Sequence, residues 1–184
     1  LADDAAALMD HLGIAHVTWV GFSMGGMIGQ VFALRYPARV KALVLADTTS
    51  EHHATPQSIW DERIRVAREQ GLQPLVQPAI GRWFTQAFRD QHPDTVEAVA
   101  VMIAGTSVNG WAGCCAAIAG VHTTDRLQEI NCPTLVMVGE HDMPGFVEGS
   151  QAMADEIPGA SFALLEGAAH NPQLETPEAW WEAL

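Results

Sequence analysis

The segment Val17-Thr18-Trp19-Val20-Gly21-Phe22-Ser23-Met24-Gly25 is the strongest structural signal in this 184-residue chain. Its apolar start is typical of a strand, and the apolar residues that follow recur at helical spacing until Pro37 ends the helix. A serine hydroxyl attacks a carbonyl carbon only when it stands clear of the backbone and a base removes its proton. We therefore predict that Ser23 is a nucleophile at the apex of a strand-to-helix turn. The small residues Gly21 and Gly25 are expected to let strand and helix pass closely.

Strand-like and helix-like segments alternate in both end regions of the chain. The four strand-like segments are His16–Val20, Val40–Asp47, Pro133–Glu140 and Ser161–Gly167. The second and third are nearly continuous apolar runs, as in strands that are covered on both faces. Helical periodicity lies between these segments and again near the C-terminal end of the sequence. This alternation predicts an α/β fold with a mostly parallel sheet and right-handed crossovers.

The middle of the chain follows another pattern. Residues 51–125 contain no convincing strand and several helix-like pieces, namely Ser58–Gln70, Leu72–Phe88, Thr95–Ala104 and Trp111–Val121. An insertion of this size between two strands of a sheet is typical of a helical cap over a site. We therefore expect residues 1–50 to form the first part of the core, residues 51–125 the cap and residues 126–184 the second part of the core.

A base and an orienting acid follow the last two predicted strands. Asp142 lies shortly after the third strand, and His170 lies in Glu166-Gly167-Ala168-Ala169-His170-Asn171 after the fourth. The carboxyl ends of parallel strands meet at one edge of the sheet, where Ser23 also lies. We expect Ser23, His170 and Asp142 to act as nucleophile, base and orienting acid. Asp47 also ends a strand and remains an alternative acid, with helix capping or loop hydrogen bonding as its structural interpretation.

The other histidines and the acid nearest the third strand are weaker candidates. Glu140 is expected to point away from the site. The remaining histidines do not follow a last strand and are interpreted as solvated or structural; they include His11, His16, His52, His53, His122 and His141.

Composition excludes several classes of function. The chain is 48% hydrophobic and carries 22 acidic against 9 basic residues, for a formal net charge of −13. Such a surface repels nucleic acid and anionic membranes, and no apolar run approaches the roughly 20 residues of a membrane span. The three cysteines, two of them adjacent, do not suggest a disulfide framework and favour a cytoplasmic location. The spacing of possible ligands predicts no metal site, and nothing indicates a cofactor.

The motifs together resemble a known family. The segment Gly21–Gln30, the cap motifs Arg82-Trp83-Phe84-Thr85 and Gly110–Ile118, and the tail motif Gly167-Ala168-Ala169-His170 with Glu175-Thr176-Pro177 resemble α/β-hydrolases of the 3-oxoadipate enol-lactonase type. The two cap motifs are the more selective part of this resemblance, which spans nearly the whole chain. It implies an α/β-hydrolase fold with a helical cap and hydrolysis of an enol-lactone to 3-oxoadipate without a cofactor.

The residues themselves also suggest which groups contact substrate. The backbone N–H of Met24 would meet the oxyanion, with a second donor from a loop upstream. Arg82 beside Trp83 would supply a positive charge and an aromatic wall for a substrate carboxylate. Trp111 stands where the family usually has Tyr, so it is expected to alter the shape of the pocket. The competing interpretation is a solvent-facing arginine and tryptophans that belong to the cap core.

Two further expectations complete the sequence analysis. Leu1 lies inside a predicted helix, and a full α/β-hydrolase would have several strands before it, so the chain is expected to be a fragment with little activity alone. The partner is expected to be a small lactone or ester, while the oligomeric state is not predicted. A general carboxylesterase, a C–C bond hydrolase, a cofactor-free perhydrolase or a non-catalytic module of the same fold remain alternatives.

Overall fold

The computed structural model describes residues 1–51 and 55–184. In these residues four strands form one parallel sheet in the order β1-β2-β3-β4. The strands are β1 (Val17–Phe22), β2 (Val40–Ala46), β3 (Thr134–Gly139) and β4 (Ser161–Leu165). The prediction of a parallel α/β sheet is confirmed. The first strand runs two residues beyond its predicted end at Val20, so that it leads directly into Ser23.

The sheet is covered on both faces, which explains the continuous apolar runs of its central strands. On one face Leu43 and Leu45 of β2 pack in a core with residues of three helices, which are α1 (Ala2–His11), α2 (Met24–Arg35) and α8 (Phe146–Glu156). On the other face Val44 and Ala46 pack with Trp180. That tryptophan belongs to α10 (Pro177–Ala183), which follows the short α9 (Pro172–Glu175). Successive residues of a strand point to opposite faces, so β2 contributes to both cores.

Between β2 and β3 the described residues form five α-helices and a short 3-10 helix (Thr124–Glu129). The five α-helices are α3 (Gln57–Gln70), α4 (Gln73–Trp83), α5 (Gln86–Gln91), α6 (Pro93–Ala104) and α7 (Val108–Ala119). They have an apolar core of their own, which includes Ile80, Phe84 and Ile103. α3 packs against α7, and α4 packs against α6. The division of the chain into a core and a cap remains a prediction.

One predicted helix of this region is wrong in extent. The sequence suggested a single helix over Leu72–Phe88, whereas α4 ends at Trp83 and α5 begins at Gln86. Phe84 is extended, and the Thr85 hydroxyl accepts a hydrogen bond from the Phe88 N–H at 3.2 Å. A threonine in this position satisfies an N–H group of the first helical turn, and Thr85 therefore caps the start of α5. The break turns the chain beside the site described below.

No single helix in residues 1–51 or 55–184 is long and apolar enough to cross a membrane. Only α6 and α7 taken together reach the required length and composition, and the two are bent by 96° where they join.

Candidate active site

Ser23 lies between β1 and α2 in a strained backbone conformation. Its φ of 51° and ψ of −117° are rarely adopted by residues other than glycine. Hydrogen bonds hold it there: its N–H donates to the Ala46 carbonyl at 2.8 Å, and its own carbonyl accepts from the Thr48 hydroxyl at 2.7 Å. The predicted apex of the strand-to-helix turn is therefore found at Ser23, and the end of β2 fixes its position.

The glycines around Ser23 do not all serve the same purpose. A Cβ on Gly21 would lie 2.6 Å from the Gly25 carbonyl carbon and 2.7 Å from the Gly26 Cα, so strand and helix meet there as expected. At Gly25 the expectation was wrong, because a Cβ there would meet no atom within 4 Å. The close approach falls one residue later, where a Cβ on Gly26 would lie 2.6 Å from the Thr48 side chain.

Ser23, His170 and Asp142 form a continuous chain of hydrogen bonds. The Ser23 hydroxyl lies 3.0 Å from His170 Nε2, and His170 Nδ1 lies 2.9 Å and 3.0 Å from the two Asp142 carboxylate oxygens. A carboxylate only accepts hydrogen bonds, so Nδ1 carries the imidazole proton and Nε2 is free to accept one from the serine. The side chains of His170 and Asp142 are 3% and 0% exposed.

Aromatic side chains hold the imidazole ring in this orientation. The ring centroids of Phe22 and Phe146 lie 5.2 Å and 5.4 Å from that of His170, and Phe146 meets it edge-on. Trp83 at the end of α4 lies 6.4 Å away. This apolar surround excludes water from the ring, which strengthens the hydrogen bonds on both of its nitrogens.

Asp47, the alternative acid, lies next to this chain and has other partners. It is fully buried, and its Oδ1 accepts a hydrogen bond from the Gly139 N–H at 2.9 Å. Burial raises the pKa of the Asp47 carboxyl to about 9, and the negative charge of Asp142 contributes to the rise. Asp142 and not Asp47 makes the hydrogen bonds to His170 Nδ1.

The remaining acid and histidine candidates are engaged elsewhere or lie outside the described residues. The Glu140 carboxylate accepts from the Gly167 N–H at 3.0 Å, and His122 contacts Glu51 at 3.0 Å. His141 is exposed at the rim of the cavity described next. His11 and His16 are exposed near the start of β1, whereas His52 and His53 lie outside the described residues.

A cavity of about 630 Å³ opens onto Ser23 and His170. All three side chains proposed from sequence as substrate contacts line it, namely Arg82, Trp83 and Trp111. Met24 is the first residue of α2, where backbone N–H groups have no carbonyl of their own helix to bind and carry partial positive charge. Its N–H is therefore a suitable donor to an oxyanion formed at Ser23.

Sequence reasoning missed a second arginine that faces the same cavity. Arg63 of α3 lines the cavity together with Arg82, and its guanidinium carbon lies 4.8 Å from the Trp60 ring centroid. Within residues 1–51 and 55–184 neither arginine has a carboxylate partner. Partial burial, followed by the positive charge of Arg63, lowers the pKa of Arg82. Two unneutralised cations in a strongly acidic chain make the cavity attractive to an anion.

Asp47, Asp142 and His170 form the one group in the described ranges whose spacing resembles that of metal ligands. Most of the atoms that could bind a metal already have partners, since His170 and Asp142 bind each other and Asp47 Oδ1 accepts from the Gly139 N–H. A metal ion would also require an ionised Asp47, whereas burial favours its neutral form. The donor set therefore fits a hydrogen-bonded network better than a cation.

Comparison with known proteins identifies the family of the chain. Residues 1–177 match the model of the alpha/beta hydrolase fold family. The chain is 36% identical over 184 residues to 3-oxoadipate enol-lactonase 2 of Acinetobacter baylyi, and this alignment covers 100% of the chain and 68% of that relative.

Two solved structures are also similar to the chain. The enol-lactonase from Burkholderia xenovorans LB400 superposes with a TM-score of 0.94 at 28% identity, covering 99% of this chain and 69% of that one. A malate-bound thermophilic esterase from Thermogutta terrifontis superposes with a TM-score of 0.90 at 33% identity, covering 99% and 68%. The chain thus spans about two thirds of the length of these proteins. It belongs to the α/β-hydrolase family and resembles the enol-lactonases within it.

Proposed function

We propose that the chain carries the catalytic site of a serine hydrolase that opens a carboxylated enol-lactone, 3-oxoadipate enol-lactone, to 3-oxoadipate. The observation that carries this proposal is the hydrogen-bonded chain Ser23–His170–Asp142 beside a cavity that is lined by two arginines without a carboxylate partner among the described residues. The first feature supports nucleophilic acyl transfer, and the second supports an anionic substrate.

Acylation begins with proton transfer from Ser23 to His170. The Nε2 nitrogen accepts the hydroxyl proton over the 3.0 Å contact while Oγ attacks the lactone carbonyl carbon. Asp142 stabilises the imidazolium that results, because both of its oxygens face Nδ1. The Met24 N–H donates to the oxyanion of the tetrahedral intermediate.

Collapse of the intermediate breaks the bond between the carbonyl carbon and the ring oxygen. The imidazolium of His170 returns its proton to that oxygen, so an enol forms that becomes the ketone of the product. The former lactone carbonyl carbon remains bound to Ser23 Oγ as an acyl ester, while the free carboxylate of the substrate is unchanged. Water then attacks this ester with His170 as the base, and the released serine recovers its proton.

Specificity is assigned to the residues that line the cavity. Arg63 and Arg82 lie where a free carboxylate of the substrate would be neutralised, and Trp83 and Trp111 supply flat apolar walls. The name of the Acinetobacter baylyi relative supports a lactone with a carboxylate. The malate in the Thermogutta terrifontis esterase supports the binding of carboxylated molecules to this kind of fold.

A general carboxylesterase is the second candidate, because the Thermogutta terrifontis protein is described as an esterase. Neither reaction needs a cofactor or a metal. Since both candidates act on small molecules, we propose no nucleic-acid or membrane partner. The free cysteines Cys114, Cys115 and Cys132 support the proposal of a cytoplasmic location.

The experiment compares the hydrolysis of 3-oxoadipate enol-lactone with that of an uncharged nitrophenyl ester. Arg63→Met and Arg82→Met are each expected to lower kcat/KM for the lactone by about 10- to 100-fold, as a lost charge-assisted hydrogen bond of roughly 1.5–3 kcal/mol implies. The ester should be affected less than threefold.

Arg126→Met is the matched control, since this arginine is exposed and pairs with Glu129. Ser23→Ala should abolish both activities. Cleavage of the ester with no cleavage of the lactone by the wild type would leave the esterase as the function.

A further inference from the structure

Asp47 is a buried carboxyl group that the proposed reaction does not use. Its side chain is fully buried at the end of β2, and its backbone has a φ of 47°, which is unusual for a residue with a side chain. Oδ1 accepts from the Gly139 N–H, while Oδ2 is closed to solvent and receives no hydrogen bond from the described residues. A buried oxygen in this state is satisfied most simply by carrying a proton.

Three titratable groups face Asp47 from the neighbouring elements. Asp142 follows β3, His170 follows β4, and Glu175 lies at the end of α9. One oxygen of each aspartate and one ring nitrogen of His170 all lie within 4.8 Å of one another. Glu175 is already engaged, because it accepts from the Ala169 N–H at 2.6 Å and from the Thr85 N–H at 2.8 Å.

Two carboxyl groups within 4.8 Å of each other disfavour joint ionisation. Asp142 accepts hydrogen bonds from His170 Nδ1 and from the Met143 N–H at 2.6 Å. Asp47 accepts one backbone hydrogen bond and is otherwise enclosed, and its pKa is raised to about 9, first by burial. Of the two, Asp47 is therefore the carboxyl that holds a proton at neutral pH, and an Asp142 oxygen lies within 4.8 Å of one of its oxygens.

We propose that Asp47 is a positioning residue: it donates its carboxyl proton to the Asp142 carboxylate and, through Gly139, holds the end of β3 from which the Asp142 loop departs. This inference rests on the proposed function, because it assigns Asp142 to the orientation of His170. The Asp142 N–H donates to the Gly139 carbonyl at 3.1 Å, so the Gly139 backbone connects the two aspartates. Asp47 thereby fixes the orienting acid both directly and through the main chain.

The proposal predicts how activity responds to pH and to the choice of side chain. Near pH 9 Asp47 loses its proton, a second negative charge faces Asp142, and kcat should fall. Asp47→Asn keeps an oxygen for Gly139 and an N–H donor for Asp142 at every pH. Asp47→Ala removes both.

The kinetic test measures kcat and KM between pH 6 and pH 10.5 with the nitrophenyl ester. Asp47→Ala should lower kcat about 10-fold or more and change KM less than threefold. Asp47→Asn should restore most of that loss and move the alkaline fall above pH 10. Asp155→Asn is the control, because Asp155 is exposed on α8. Equal losses of kcat in Asp47→Ala and Asp47→Asn, or no loss in either, would overturn the proposal.

A second measurement does not depend on catalysis. A carboxyl whose folded-state pKa is raised stabilises the fold most below its ordinary pKa near 4, and this contribution is lost as pH rises toward 9. The urea midpoint of the wild type should therefore fall between pH 5 and pH 9 relative to that of Asp47→Asn. Parallel midpoints would refute the protonated Asp47 even in an active enzyme. Diverging midpoints without any hydrolysis would retain it and discard the proposed function.

Discussion

Gly21→Ala is the substitution that most sharply tests the packing beneath Ser23. The new Cβ would lie 2.6 Å from the Gly25 carbonyl carbon and 2.7 Å from the Gly26 Cα, and it would be closer still to the Gly25 carbonyl oxygen. Ordinary contact begins at 3.4 Å, so β1 and α2 must separate by about 0.8 Å. All three obstructing atoms belong to the backbone, and no side-chain rotation can relieve the contact.

This separation has a cost in both stability and rate. Forcing one extra carbon into a packed site costs about 1–3 kcal/mol of unfolding free energy. Because Ser23 lies between the two elements, its hydroxyl moves by a similar distance relative to His170. A misplacement near 1 Å lowers the rate of a positioned reaction by about 10²-fold.

Gly25→Ala is the matched control, since it belongs to the same five-residue motif and a Cβ there meets no atom within 4 Å. It lies inside α2, so alanine should raise the unfolding free energy by up to about 1 kcal/mol. Urea unfolding followed by tryptophan fluorescence and the initial rate on the nitrophenyl ester measure both quantities. If Gly21→Ala matches the wild type, or if Gly25→Ala is damaged equally, the close approach of β1 and α2 is refuted.

Two other predictions follow from the surroundings of His170. Glu175→Gln turns one of the two accepting oxygens into an amide NH₂, which would face the N–H of either Thr85 or Ala169. The unfolding free energy should fall by about 1–3 kcal/mol. The kcat should fall as well, because Ala169 directly precedes the base His170. The exposed Glu182→Gln should stay within about 0.5 kcal/mol of the wild type in the same urea titration. Incubation with EDTA should leave the ester rate unchanged, because His170 and Asp142 bind each other and Asp47 binds the Gly139 N–H in place of a metal ion. A loss of rate that added metal restores would contradict that assignment.

The sequence predicted those parts of the molecule whose chemistry is local. The four segments predicted as strands correspond to β1–β4 of the described residues, and the two central ones are nearly continuous apolar runs because β2 and β3 are largely buried. Ser23, Asp142 and His170 were found together because each follows a strand, and parallel strands end at one edge of the sheet.

Features that depend on packing between distant segments were not predicted. Arg63 was missed because α3 is rich in charged residues, and its spacing alone does not show which of them face the cavity. The role of Gly25 was misjudged, since the direction of a Cβ depends on how α2 lies over the sheet. Asp47 looked like an alternative acid, and only its burial beside Asp142 distinguishes a protonated carboxyl from a charged one.

The central claim is that His170 activates Ser23, and labelling with a serine-directed fluorophosphonate tests it most directly. Mass spectrometry of the wild type should find one adduct, on the peptide that contains Ser23, and none in Ser23→Ala. His170→Ala should react about 10²- to 10⁴-fold more slowly, which is the usual contribution of a positioned general base. An adduct on another residue, or an unchanged labelling rate in His170→Ala, would contradict the account.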